Sequence, residues 1–363
     1  MNKVEKKQRI IFIDLLRAFA VLQMVQGHTV DVLLANEFRS YESLSYSIWH
    51  FMRGMTAPIF MFTSGTVFTY LFRLVDEPFE NNPRVLKGFK RFLLLITIGY
   101  LLRFPTFNPF NFQYISESQL NVFYTVDVLH LIGFGLFFIM LFAFISEKIK
   151  IGDTATFFIA ALIFIVPTQF FKNIDWLAYL PKPIANYFYS GAGSLFPLFP
   201  WAGYMLLGAI LGSRLAKNPT IFRNTNFSLR TIFIGIVILS LVFLYNYLSY
   251  SNFYIRFDSY NYQTIAFRVG FVLVLTGIVS LISQSIQSIP HLIILIGRNT
   301  LSIYVVHLII LYGSVINPGL KIVWGNKLNP GFTILAAILM ILLMTAMVLL
   351  LHKLKIKNKQ LVT

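Results

Sequence analysis

Cysteine is absent from the 363 residues, which excludes a disulfide framework and any thiolate-bound metal centre. Charge is nearly as scarce: 12% of residues are Asp, Glu, Lys or Arg, against 57% hydrophobic and 17% aromatic. So few charges cannot clothe an ordinary soluble domain, and the composition points to a polytopic α-helical membrane protein. Acidic residues are the rarer sign, 14 against 30 basic, for a formal net charge of +16. That excess does not indicate nucleic acid, because the basic residues gather on no single face among aromatics. They cluster between apolar runs, where they set topology. A phosphate-binding glycine loop, a metal-ligand set and a nucleophile elbow are all missing, so no metal is expected. The sequence also has no low-complexity tract, clear repeat or linker, and residues 1–363 read as one transmembrane domain. The basic opening "MNKVEKKQR" runs into an apolar stretch with no small-residue cleavage pattern. It reads as the lead into a first helix rather than a removable signal.

What is present is a succession of apolar runs, near 10–34, 46–72, 86–104, 122–145, 155–171, 195–216, 229–249, 264–287, 292–313 and 331–352. Crossing the hydrocarbon takes about 20 residues, so these predict an all-α integral membrane protein of about ten transmembrane helices. Pro167 interrupts the fifth run and Pro290 bounds the ninth. Loop charges support an even number of crossings with both termini cytoplasmic. Basic residues are dense at Lys3–Arg9, Arg73–Arg91, Lys148–Lys150, Arg214–Arg230 and Lys353–Lys359, and sparse between. The expected location is the inner (cytoplasmic) membrane, with membrane lipid as an inevitable partner. The intervening loops "RFPTFNPFNFQYISESQLN" and "NYLSYSNFYIRFDSYNYQ" are rich in Tyr, Phe and Asn. They fit an interfacial aromatic belt, with a sugar-stacking surface as the alternative.

The first run, "IDLLRAFAVLQMVQGHTVD", carries Asp14, Arg17, Gln23, Gln26, His28 and Asp31. Eleven residues at about 100° each make three turns and about 20°, so Arg17 and His28 share a helix face about 16 Å apart along the axis. Asp14 and Asp31 fall within about 60° of that face, while Gln23 and Gln26 point elsewhere and could bond a neighbouring helix. Ionisable groups at membrane depth cost about 2.5–3.5 kcal/mol each, and they persist where they pair or line a wet cavity. Asp14 and Arg17 can pair, as an anchor or as part of a site. Asp31, three residues after His28, could fix its tautomer and leave the other ring nitrogen as a general base.

Further candidates lie on later runs. His50 and Arg53 stand near the start of the second, at a cavity mouth or in an interfacial collar. Its Thr63, Ser64 and Gly65 suit close helix packing. In "TVDVLHLIGFG", Asp127 and His130 could extend a proton relay from His28 or simply pair with each other. In "GRNTLSIYVVHLIILYG", Arg298 is expected at a helix start, where it could bind an anion. His307, nine residues on, then lies on the opposite face and contacts another helix. Gly203, Gly208 and Gly212 read as helix crossing points.

Taken in series, these segments resemble known families. "RIIFIDLLRAFAVLQMVQGH" is similar to the opening motif of membrane acyltransferase family 3, whose Arg and His frame the same spacing. "GMTAPIFMFTSG", "FPLFPWAGYMLLGAILG" and "IGRNTLSIYVVHLIILY" resemble bacterial proteins grouped with the heparan-α-glucosaminide N-acetyltransferase catalytic domain. The resemblance implies transfer of an acetyl group from cytoplasmic acetyl-CoA to an extracytoplasmic sugar hydroxyl or amine on a glycan or glycolipid. It also implies that His28 carries the proton or the acyl group and that Arg17 and Arg298 bind the donor's phosphates. The heparan-glucosaminide enzymes place a histidine in the loop after the first motif helix. Here that loop has none, so the role follows the family 3 pattern to His28, with His50 as the fallback. A secondary transporter or flippase using the same polar stripe, and a binding scaffold without turnover, are the competing classes. The sequence leaves the oligomeric state open, a homodimer included.

Overall fold

The computed structural model describes residues 10–105, 114–249, 258–286, 288–315 and 317–360. The centres of both aromatic loops, 106–113 and 250–257, and the basic residues before Ile10 lie outside the described residues. Among the described residues the fold is all-α, without a strand, as expected where lipid offers backbone groups no partner. The helices are α1 (Ile11–Leu33), α2 (Leu44–Arg73), α3 (Pro83–Leu102), α4 (Glu117–Phe123), α5 (Val128–Lys148), α6 (Asp153–Ile165), α7 (Thr168–Asn173) and α8 (Lys182–Ala185). They continue as α9 (Leu198–Lys217), α10 (Thr225–Ser249), α11 (Tyr262–Ser285), α12 (His291–Arg298), α13 (Thr300–Tyr312), α14 (Gly319–Trp324) and α15 (Pro330–Gln360).

Each predicted apolar run overlaps a helix or a consecutive pair of helices. Among the described residues six stretches are long and apolar enough to cross a membrane: α2, α5, α6 with α7, α10, α11 and α15. The pair α12 and α13 makes a seventh if counted as one bent span. Helices α1, α3 and α9 fall outside that set. Polar or small residues dilute each of them, through the stripe of α1, the Arg84, Lys87, Lys90 and Arg91 that open α3, and the glycines of α9. These helices give a multi-pass membrane protein.

The described residues gather into two compact units. The larger draws on Met1–Phe12, Met61–Leu101 and Gln113–Ser285, the smaller on Ile13–Phe60, Leu102–Phe112 and Ile286–Thr363. Within the larger unit, the second half of α2 crosses α9 almost backbone to backbone. A Cβ on Gly65 would sit 2.0 Å from the Met205 carbonyl oxygen, and one on Gly208 2.0 Å from that of Phe62. Thr66 Oγ1 donates to the Gly208 carbonyl at 3.0 Å, filling the seam with a hydrogen bond. Small residues replace side-chain bulk at this crossing, as the sequence motifs predict. Arg73, closing α2, binds Asp153 at 2.7 Å and also Glu147, and Ser213 donates to Asp153 at 3.0 Å. One guanidinium thereby ties together α2, α5, α6 and α9.

Within the smaller unit, the loop before α15 satisfies the end of α1. The backbone N–H groups of Asn326, Lys327 and Leu328 donate to the carbonyls of Val32 and Leu33 at 2.9–3.1 Å, so acceptors left open by the helix end are closed by the chain itself. Helices α12 and α13 bend by 72° at Asn299. The Asn299 side chain donates to the Leu295 carbonyl at 2.8 Å, and its own N–H reaches Leu295 and Ile296. This local competition for helix-end acceptors stops α12 and lets the chain restart at Thr300.

Candidate functional site

His28 and His307 meet in the smaller unit. The Nδ1 of His28 lies 3.0 Å from the Nε2 of His307, the rings stack at 5.2 Å with 18° between their planes, and Tyr312 stands edge-on to His28 at 6.2 Å. The proton positions follow from one acceptor. His307 Nδ1 is 2.7 Å from the Ile303 carbonyl oxygen, which only accepts, so Nδ1 carries the hydrogen. A neutral His307 then presents a lone pair at Nε2, and His28 Nδ1 must donate to it. The remaining nitrogen, His28 Nε2, is left as a bare lone pair, with no hydrogen-bond partner among the described residues. His307 is fully buried while His28 is half-buried. The arrangement is an imidazole oriented by a second imidazole, which is in turn oriented by a backbone carbonyl. It can accept a proton at one defined atom.

The three-residue spacing offers Asp31 as a group that could orient His28, but in the structure its carboxylate is engaged by arginines. Asp31 binds Arg53 at 2.8 Å and lies 3.8 Å from Arg39. It sits one turn beyond His28 at the end of α1, and two guanidiniums outcompete a neutral ring for its charge. Arg39 also donates to the carbonyls of Asp31 and Leu34 and to Asn326 Oδ1, at 2.7–2.8 Å. The predicted helix start at Arg298 is also corrected. Arg298 ends α12, and the break at Asn299 removes the continuous helix on which the face of His307 was counted. Arg298 is exposed. Its neighbour Gly297 abuts α1, since a Cβ there would lie 3.1 Å from the Asp14 carbonyl oxygen and 3.8 Å from Arg17 Cβ. Half-buried Asp14 and Arg17 and the end of α12 therefore occupy one level of this unit.

His50 joins an aromatic cluster at the start of α2, with its ring 5.2 Å from Tyr41 and 5.9 Å from Tyr46. Trp49 Nε1 donates to Gln26 Oε1 at 3.0 Å, so a glutamine of α1 does bond a neighbouring helix. Arg53 stands 5.9 Å over the Trp49 ring while pairing with Asp31. The aromatic partners Tyr41, Tyr46, Trp49 and Tyr312 were missed. Apolar periodicity cannot distinguish an aromatic facing lipid from one facing a polar group.

Asp127 and His130 belong to the larger unit and pair with each other. Asp127 caps α5 by accepting from the Leu129 N–H at 2.9 Å, and its carboxylate lies 3.0 Å from His130 Nδ1. The His130 ring is fully buried, 4.4 Å from Tyr100, and its Nε2 has no partner among the described residues. Nearby Tyr187, in the loop before α9, bonds Tyr100 at 3.0 Å, and burial pushes its phenol far above the usual range. Among the described residues no cluster of three or more acidic, histidine or cysteine side chains could hold a metal.

A family model described as heparan-alpha-glucosaminide N-acetyltransferase, catalytic, matches residues 9–252. The match takes in His28, Asp31, His50, Arg53, Asp127 and His130 and ends before α12 and α13. No curated protein sequence matches the chain.

Proposed function

Because this chain belongs to the heparan-alpha-glucosaminide N-acetyltransferase catalytic family, we propose that it acetylates a sugar amine or hydroxyl outside the membrane using acetyl-CoA from the cytoplasm, with His28 as general base. The observation that carries this reading is the fixed chain from the Ile303 carbonyl through His307 to His28, which leaves one basic nitrogen open. His28 Nε2 takes the proton from the acceptor's N–H or O–H as its lone pair attacks the thioester carbonyl carbon. The tetrahedral adduct then collapses, the C–S bond breaks, and the CoA thiolate leaves and takes up the proton that His28 held. His307 stabilises the imidazolium formed midway by accepting its Nδ1–H. Arg17 and Arg298 suit the donor's phosphates, since guanidinium forks match phosphate oxygens. The level of α1 at which Gly297 brings in the end of α12 supports their acting together. Asp31 and Arg53, with the aromatic cluster around His50, suit the acceptor sugar.

The topology that goes with this reading has about ten crossings, cytoplasmic termini and residence in the inner membrane, with residues 1–363 acting as one transmembrane domain and a homodimer as a candidate assembly. The transporter reading gains no support. Purified protein given radiolabelled acetyl-CoA and an amino sugar should release CoA and label the sugar, and His28→Ala should cut both by about 10²–10⁴-fold. An intact thioester, with sugar crossing into proteoliposomes, would replace the enzyme by a transporter.

A further inference from the structure

Among its described residues the larger unit buries a guanidinium that no carboxylate pairs with. Arg268, in the second turn of α11, is 5% exposed. It makes no ion pair among the described residues, and the undescribed stretches contain a single acidic side chain, Glu5. Asp258, on the chain just before α11, is bound to Lys172 at 2.7 Å. The contacts found for Arg268 are a hydrogen bond from Nη1 to Ser259 Oγ at 3.1 Å and the face of Trp201, 5.1 Å from its central carbon. A charge held inside a membrane-spanning helix without a counter-charge is costly, and such a residue persists where something compensates it.

The groups around it share one property: each carries an N–H or O–H that finds no acceptor among the described residues. Trp201 is 4% exposed and Tyr204 1%, and their rings lie 5.7 Å apart on α9. Trp201 Nε1, Tyr204 Oη and Arg268 Nε are each sealed from solvent with no geometrically formed hydrogen bond among the described residues. The Tyr204 hydroxyl lies beside the guanidinium, whose N–H groups its oxygen can accept, which still leaves its own O–H without an acceptor. An indole N–H and a guanidinium N–H can only donate, so they cannot satisfy each other. Buried donors of this kind are almost always paired in folded proteins, so three together on two helices call for an acceptor from beyond the described residues. A negative acceptor would also neutralise Arg268.

We propose that Trp201, Tyr204 and Arg268 form a buried oxyanion site within the larger unit, taking one carboxylate or phosphate group from a soluble acid or a phospholipid headgroup. The site does not depend on the proposed acetyl transfer, because none of its three side chains is assigned a part in that chemistry. The test uses the purified full chain, with native mass spectrometry beside thermal melting in acetate or inorganic phosphate against sodium chloride of equal ionic strength. A retained phospholipid adduct identifies a headgroup. A melting midpoint that rises saturably with acetate or phosphate, without an adduct, identifies a soluble acid. Either signal should disappear in Arg268→Gln and weaken at least tenfold in Tyr204→Phe, which keeps the ring and removes only the hydroxyl, and in Trp201→Phe, which removes the N–H together with part of the aromatic face. Should Arg268→Gln not fold, the two phenylalanine variants decide, Tyr204→Phe first because it keeps its ring. The proposal fails if neither signal is seen, if both phenylalanine variants leave the signal unchanged, or if Arg268→Gln simply melts higher and the parent ignores both anions. The last result would mean an uncompensated charge resting on the indole face.

Discussion

In the smaller unit His28 precedes Asp31 at the C-terminal end of α1; in the larger, His130 follows Asp127 at the N-terminal end of α5. The two sequence patterns are mirror images with the same three-residue spacing, and the helix end determines what each acid does. At the start of α5 the backbone has N–H groups to spare, so Asp127 accepts from them and holds His130 against itself as part of the cap. At the end of α1 the spare groups are carbonyls, which give an acid nothing, and Asp31 turns to Arg53 and Arg39 instead. That frees the His28 ring for His307. Both rings keep an Nε2 without a partner among the described residues, but that of His130 is sealed in the fold while His28 is only half-buried.

This contrast separates two kinds of mutational effect. The largest expected change is from His28→Ala, which should cut acetyl transfer about 10²–10⁴-fold with little change in melting. His307→Phe should lose part of that factor, and His307→Gln, which can still accept the Nδ1–H, should recover some of it. Equal activity in the two His307 variants would remove the relay from the account. His130→Ala should do the reverse, destabilising the fold by about 2–4 kcal/mol through a cavity and a weakened cap while each folded molecule stays active. Asp127→Ala should cost about 1 kcal/mol and Asp127→Asn much less, read from melting midpoints, because an amide oxygen still caps. For Asp31 and Arg53, both about one-third exposed, a double-mutant cycle on stability should return below about 1 kcal/mol of coupling. The smallest effect belongs to Glu80 and Lys148. The hydrogen bond from Lys148 lowers the Glu80 carboxyl's pKa, so the pair's contribution is present above the ordinary carboxylate range and lost as pH falls through the lowered value. Both groups stand in water, so Lys148→Ala should leave the midpoint unchanged even at neutral pH and low salt.

The sequence made the helices legible because apolar length is a property of contiguous residues. The polar stripe of α1 and the glycines of the α2–α9 crossing were equally readable, since helical periodicity and the absence of a side chain are local facts. The partner of His28 was not. His307 lies 279 positions away, and only the packing of α13 brings it near. Counting turns from Arg298 failed because Asn299 competes for helix-end carbonyls with its own amide, which breaks the periodicity on which such counting depends. Asp31 was misassigned for a related reason: spacing places a side chain within reach of several partners, and the nearest opposite charge wins.

The bend at Asn299 acts as a lever. His307 stands eight residues beyond it, about 12 Å along α13, so straightening the 72° elbow would sweep its imidazole through about 14 Å. An uninterrupted rod in place of this elbow would leave His28 without its companion ring, though every residue touching either histidine were unaltered. The asparagine that stops α12 thus aims a side chain two turns away, and modest flexing of the joint would be enough to make or break the imidazole contact.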